Sequence, residues 1–302
     1  MNKINAIVTI PPYAPFIKEV AAHPIVCGLR LNTVMPVKEN LEEVLKRLNG
    51  DANGKNLWID LKGRQLRVTG YGVPPFTEID ISHEIYVKTP TTAYFSDGKE
   101  YATLLKINNK KLIMQDGPKR VVGPGEAINI PDESLRIKGY FTDTDLKYIE
   151  AGLKTGVNNY MLSFIESKKD IDDFRKFYKD ANVVAKIESR KGMNYVSTTW
   201  NKDDARLMAA RGDLYIEVKK PHEIITCVEN IVKKNNDAIV ASRIFPSLSN
   251  SLEPSCEDLG DVDNLLRMGY KTVMFGDDVC LKRESILNAL NLFDAMAEKY
   301  QK

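Results

Sequence analysis

Lys186, Glu188 and Asp213 are the residues of this chain whose types and spacing could do chemistry together. In Ala185-Lys186-Ile187-Glu188 the amine and the carboxylate stand two residues apart, and in a β-strand that spacing puts both on one face. Ala210-Arg211-Gly212-Asp213 adds a second carboxylate in a turn that contains glycine. Two carboxylates from neighbouring strand ends, with positions left open for substrate oxygens and water, suit octahedral Mg²⁺, or Mn²⁺ in its place. A lysine beside such an ion can pass a proton or neutralise charge on a transferring phosphoryl group. Taken alone, the two tripeptides are short, and surface salt bridges near loop ends are the plainer account of them.

These groups need strands to carry them, and the chain has the pattern. Ala6–Ile10 is a β-branched apolar run without polar alternation, which predicts a buried strand. Further strands are expected at Leu57–Asp60, Tyr160–Ile165, Val183–Ile187, Leu207–Ala210, Ala238–Ala241 and Thr272–Phe275. Helical stretches fall between them at Phe16–Ala22, Leu41–Leu48, Lys169–Tyr178, Glu223–Lys234 and Val262–Met268, and Lys282–Tyr300 closes the chain. Alternating strands and helices imply a parallel sheet with right-handed crossovers, and this many units fit a closed (β/α)₈ TIM barrel, an α/β fold, better than an open sheet. The functional residues of such a barrel lie at the C-terminal tips of its strands. Lys186 and Glu188 are expected at the sixth strand, with Asp213 at the next strand end.

Residues 69–132 have a different texture, opening at Tyr71-Gly72-Val73-Pro74-Pro75. Short alternating segments are broken there by Asp97-Gly98, Asn108-Asn109 and Asp116-Gly117, which is hairpin chemistry. The expected division is therefore a barrel from 1–68 and 133–302, with a small all-β insert at 69–132 standing over its mouth as a lid.

Bulk composition excludes more than it suggests. The 302 residues carry 43 Lys plus Arg against 41 Asp plus Glu, a net charge of +2, so nothing points to a nucleic acid or a membrane surface as partner. No apolar run approaches the ~18 residues of a membrane span, and no secretory cleavage pattern follows Met1–Ile10. Cys27, Cys227, Cys256 and Cys280 form no C-x-x-C pair, so reduced thiols in a cytoplasmic protein are expected. His23, His83 and His222 fall outside every motif and are read as packing or surface residues.

Along nearly its whole length the chain resembles pyruvate kinases, with the motifs in the family's order. Ile4–Pro11 looks like the opening strand and turn, and Leu29-Arg30-Leu31-Asn32 resembles A-R-L-N of the second strand. Asp60-Leu61-Lys62-Gly63-Arg64-Gln65-Leu66-Arg67 resembles D-T-K-G-P-E-I-R. Tyr94–Gly98 and Gly123–Pro131 resemble segments of the family's lid domain, and Thr142–Leu146 the start of the helix after it. Leu162-Ser163-Phe164-Ile165 resembles L-S-F-V of a fifth-strand motif. Ala185–Glu188, Ala210–Glu217 and Val240-Ala241-Ser242 resemble A-K-I-E, A-R-G-D-L-G-V-E and V-A-T.

The resemblance implies roles. Lys186 would neutralise phosphoryl group and enolate, and Glu188 and Asp213 would hold the divalent metal. The backbone N–H groups of Arg211, Gly212 and Asp213 would receive the carboxylate of phosphoenolpyruvate or pyruvate. Ser242 would stand near that carboxylate and the enolate carbon. Arg30, Asn32 and Arg67 would face phosphates, of the transferred group and of ADP or ATP. The implied activity is Mg-dependent phosphotransfer from phosphoenolpyruvate to ADP or another small acceptor. A lyase using the same pyruvate enolate, and a degenerate metabolite-binding descendant, are the alternatives. Self-association is left open.

The departures from the family pattern are equally specific. Its potassium site uses the asparagine, a serine, the aspartate and a threonine; Asn32 and Asp60 remain, but Val34 and Leu61 replace both hydroxyls. That site is therefore expected to be lost and K⁺ not required, with Arg64 as a candidate fixed charge in its place. Gln65 replaces a glutamate, Glu166 an arginine, Tyr215 a glycine and Cys256 an arginine of the subunit interface. Gly276-Asp277-Asp278 stands where the family has S-G-E. The chain stops after the eighth barrel helix, so the family's C-terminal regulatory domain is expected to be missing.

Overall fold

A computed structural model describes residues 3–74 and 78–301; Met1 and Pro75 lie outside them. Eight parallel strands close into a barrel: β1 (Asn5–Thr9), β2 (Val26–Asn32), β3 (Asn56–Leu61), β10 (Asn159–Leu162), β11 (Asn182–Ile187), β12 (Arg206–Ala210), β13 (Ile239–Ala241) and β14 (Thr272–Phe275). β14 returns to pair with β1, so no edge is left open. The predicted TIM barrel is thus observed.

The strands are buried on both faces, which is why they read as continuous apolar runs. Ile7, Trp58, Met161, Val184, Met208, Ile239 and Met274 fill the barrel interior. The outward residues, such as Leu29, Leu57, Ala185 and Val240, pack under the ring of helices. Along β11 the inward positions run Val184, Lys186 and then Glu188 just past the strand, so the apolar plug gives way to charge at the mouth.

Helices α1 (Ile17–Ala22), α2 (Leu41–Asp51), α3 (Asp143–Thr155), α4 (Lys168–Arg175), α5 (Arg190–Thr198), α6 (Arg211–Glu217), α7 (Glu223–Lys234), α8 (Cys256–Met268), α9 (Asp277–Cys280) and α10 (Arg283–Glu298) complete the barrel. Their starts are set locally: Asn40 accepts from the N–H groups of Glu42 and Glu43, and Thr142 forms a capping box with Asp145. Gly156 and Gly269 end α3 and α8 in the left-handed conformation.

Between β3 and α3 lies the insert. β4 (Glu78–Asp80), β6 (Thr91–Phe95), β7 (Glu100–Asn108) and β8 (Lys111–Met114) form an antiparallel sheet in the order β4-β8-β7-β6. β5 (Ile85–Tyr86) pairs with β9 (Arg136–Ile137). The insert has its own apolar core, including Leu66, Val68, Phe95, Leu104, Leu112 and Ile130. The Asp97-Gly98 and Asn108-Asn109 turn signals fall between β6 and β7 and between β7 and β8, where Asp97, Gly98 and Asn109 all take positive φ.

Two expectations need correction. The Tyr160–Ile165 run yields a strand only to Leu162, because Phe164 turns to φ 51° and donates its N–H to Glu188 at 2.7 Å. The insert sheet is not part of the barrel, so Lys186 and Glu188 belong to the fifth barrel strand, Asp213 to the sixth and Ser163 to the fourth. No helix among the described residues is long and apolar enough to cross a membrane.

Candidate active site

Asp60, at the tip of β3, is completely buried and gathers three cations. Its carboxylate accepts from Arg30 Nε at 2.9 Å and Nη2, from Lys62 Nζ at 3.3 Å, and from Lys186 Nζ at 3.2 and 3.4 Å. Burial alone would push its carboxyl up, but Lys186, Lys62 and Arg30 together hold it far below the usual carboxylate range. Lys62 shows the opposite effect. Burial, with Lys186, Arg30 and Arg67 close by, outweighs its attraction to Asp60 and pushes its ammonium down to about 7.

Lys186 also donates to Ser163 Oγ at 2.8 Å and lies 3.1 Å from Glu188 Oε1. Burial disfavours its charge, yet Asp60 and Glu188 hold its pKa above the ordinary lysine value. Glu188 is raised by burial, opposed by Lys186 and then reinforced by the charges of Asp213 and Asp60. A cation between Glu188 and Asp213 would relieve that repulsion.

Asp213, in the first turn of α6, is aimed by two amides: Asn129 Nδ2 donates to Oδ1 at 3.0 Å and Gln65 Nε2 to Oδ2 at 3.0 Å. Asn129 belongs to the insert, which therefore helps to orient this carboxylate. Among the described residues no group of three or more His, Cys, Asp or Glu could enclose a metal ion. Glu188 and Asp213 supply two hard oxygen donors only, a set that fits a cation whose remaining ligands are substrate oxygens and water.

Glu188, Asp213, Lys186, Arg30, Asn32, Arg67, Gly212 and Ser242 all line one cavity of about 480 Å³. The insert roofs it with Asp97, Gly125, Glu126 and Ala127. A larger cavity of about 770 Å³ lies beside it between insert and barrel, but Lys186, Asp213 and Ser242 do not line it. His23, His83 and His222 are absent from the lining of the smaller cavity.

Ser242 follows β13 in a loop with φ 69° at Ser242 and 56° at Arg243. The Arg211 side chain holds that loop, donating to Ser242 O at 2.9 Å and Arg243 O at 2.9 Å, and pairing with Asp261 at 2.8 Å. Arg211 thus works structurally through its side chain, and only its backbone remains for a ligand. A Cβ on Gly212 would stand 3.3 Å from Ser242 Oγ, so glycine keeps that approach open.

Arg30 and Asn32 reach the cavity, but an acid of the chain already meets them. Asp277 accepts from Arg30 Nη1 at 3.2 Å and from Asn32 Nδ2 at 2.8 Å. Arg67 differs: its guanidinium donates to Gly125 O and Gln65 Oε1, its Nε is buried without a partner, and it makes no ion pair among the described residues. Arg64 does not enter the Asn32–Asp60 region. Its guanidinium pairs with Glu166 at 2.9 Å and with Asp170, and lies over the Tyr140 ring. The expected substitute charge is therefore not supplied there; Lys62 and Arg30 meet Asp60 instead.

Sequence reasoning missed Thr9, Lys62, Gln65, Asn129, Ser163 and Asp277 as site residues. Lys62 and Gln65 lay within a quoted motif, and Asp277 within a quoted departure, so their signals were present. Thr9, Asn129 and Ser163 also lay within quoted motifs, but nothing in those motifs singled out their side chains.

The family described as pyruvate kinase, barrel domain, matches residues 76–280. The chain belongs to that family. It is 23% identical over 287 residues to a pyruvate kinase of Thermoplasma acidophilum, covering 83% of this chain and 49% of that protein. It is 27% identical to one of Lactobacillus delbrueckii over 79% of this chain and 47% of that protein, and 24% identical to one of Methanocaldococcus jannaschii over 99% and 70%. The chain thus spans about half the length of the first two of these relatives. For a pyruvate kinase barrel, the cavity at the strand tips is where chemistry belongs.

Proposed function

We propose that this chain is a Mg²⁺-dependent phosphotransferase of the pyruvate kinase type, taking the phosphoryl group of phosphoenolpyruvate to ADP or another small acceptor. The observation that carries the reading is Lys186, buried 3.1 Å from Glu188 in a cavity that Asp213 also lines. In the transfer, the enol P–O bond breaks as an acceptor oxygen bonds to phosphorus, and the enolate carbon takes a proton to give pyruvate. Negative charge therefore grows on the enol oxygen, and Lys186 is fixed by Asp60, Ser163 and Glu188 to face it without reorganising.

Glu188 and Asp213 would hold the divalent ion, which when bound neutralises the substrate carboxylate and enol oxygen. Arg67, with neutral partners only, and Lys62 supply positive charge for phosphate oxygens. The N–H groups of Arg211, Gly212 and Asp213 open α6 without intrahelical partners and suit the substrate carboxylate, with Ser242 beside them. K⁺ is not required in this reading, because Asp60 is occupied by three protein cations and Asn32 Oδ1 accepts from Val34 N.

The test follows pyruvate from phosphoenolpyruvate with Mg²⁺ and ADP, with and without K⁺. Formation of pyruvate that needs Mg²⁺, ignores K⁺ and drops by about a hundredfold or more in Lys186→Ala is the expected result. Cleavage of a 4-hydroxy-2-oxo acid to pyruvate, with none from phosphoenolpyruvate, would replace this reading by a lyase.

A further inference from the structure

Arg30 has five N–H bonds, and the structure accounts for four of them. Nε and one hydrogen of Nη2 go to Asp60; the two of Nη1 go to Thr9 Oγ1 at 3.0 Å and Asp277 Oδ1 at 3.2 Å. The other oxygen of Asp277 takes the Asn32 amide at 2.8 Å, while Asn32 Oδ1 accepts from Val34 N at 3.3 Å. One carboxylate thus spans Arg30 and Asn32 as two oxygens of a phosphate would, since carboxylate and phosphate present similar acceptor pairs to a guanidinium.

Asp277 does not stand alone on this side. Asp97 from the insert and Asp278 line the same cavity. Burial, and then the charges of Asp213 and Asp278, push the Asp97 carboxyl up, which reports the negative field there. Of the cations facing this rim, Arg120 is paired with Glu100 and Glu126. Arg243 lies over the Tyr215 ring, 4.3 Å from its centroid. A phosphate entering beside Asn32 must displace Asp277 and then remain next to it.

We propose that Asp277 is a specificity-determining residue, a resident anion on the Arg30–Asn32 edge of the cavity that penalises acceptors bearing phosphate. The inference rests on the phosphotransferase reading and narrows its acceptor toward molecules without a phosphate of their own. Lys186, Lys62 and Arg67 line the same cavity and make no contact with Asp277, so they remain for the donor.

The test uses the full chain as wild type, Asp277→Asn, Asp277→Gly and Asp277→Glu, with circular dichroism to establish folding. ADP and inorganic phosphate are titrated calorimetrically at fixed Mg²⁺, and oxalate, which carries no phosphate, is titrated in parallel. Asp277→Asn and Asp277→Gly should bind ADP and phosphate at least about tenfold more tightly than wild type. Asp277→Glu should stay weak, and oxalate affinity should move by less than about twofold in all four. If wild type binds ADP and phosphate as tightly as Asp277→Asn, the proposal is wrong. Absence of oxalate binding in wild type would overturn the phosphotransferase reading beneath it, and that result is separate from the ADP titration. Should Asp277→Gly not fold, Asp277→Asn alone decides.

Discussion

Arg64 and Glu166 meet at 2.9 Å, so a single ion pair ties the turn after β3 to the turn after β10. Two departures from the family's motifs, an arginine in place of proline and a glutamate in place of arginine, are therefore one interaction. Asp170 joins the same guanidinium, and the Tyr140 ring lies beneath it. Gly63, just before Arg64, has φ 49°, and a Cβ there would come within 2.6 Å of Tyr140, so the turn can follow this path only with glycine. Replacing Arg64 by leucine would leave two acids, with side-chain exposures of 17% and 5%, facing each other without a cation. We expect a loss of about 2–3 kcal/mol in urea denaturation, with Arg64→Leu/Glu166→Gln recovering part of it. A single variant within experimental error of wild type would show that the pair is merely tolerated.

That pair also marks what the sequence could convey. The barrel strands were legible because burial on both faces leaves uninterrupted apolar runs, and Lys186 and Glu188 because a two-residue spacing fixes one face of a strand. Asn129 was not, since its role comes from an insert folding back to within 3.0 Å of Asp213, 84 residues away in sequence. Nor was the direction of Arg64, which depended on where Glu166 and Asp170 would be. The end of β10 at Leu162 was hidden for a similar reason: Phe164 is apolar and β-prone, yet a carboxylate from the next strand draws its N–H out of the ladder.

Glu217 gives the chain a pH signature. It is 9% exposed, makes no ion pair among the described residues and lines the 770 Å³ cavity. Burial, then the charges of Asp213 and Glu166, push its carboxyl up to about 8, against the opposing pull of Arg190 and Lys191. Its folded pKa lies above the unfolded value of about 4.3, so between those two values the folded state holds more protons. Stability from this group is complete below about pH 4 and falls as pH rises toward 8. Glu217→Gln should therefore gain at least about 1 kcal/mol over wild type at pH 8 and little at pH 4, read from urea midpoints at each pH. An equal difference at both values would assign the effect to packing instead.

The two acids of the proposed metal site can be separated from the fold in the same manner. Glu188 is held by Phe164 N–H and Lys186, and Asp213 by Gln65 and Asn129, so neither carboxylate depends on a metal for its position. Amide replacements keep the shape and remove charge from a pair whose mutual repulsion already raises Glu188. Mn²⁺ titrated against the protein and followed by water proton relaxation should bind wild type at one site that oxalate strengthens. Glu188→Gln and Asp213→Asn should each weaken it by about tenfold or more, since the protein offers only these two charged donors. Thermal midpoints of the metal-free variants, read in parallel, separate a lost metal site from a lost fold. Undiminished Mn²⁺ binding in both variants would place the ion elsewhere, and Lys186 would then have to act on the enolate without a cation opposite it.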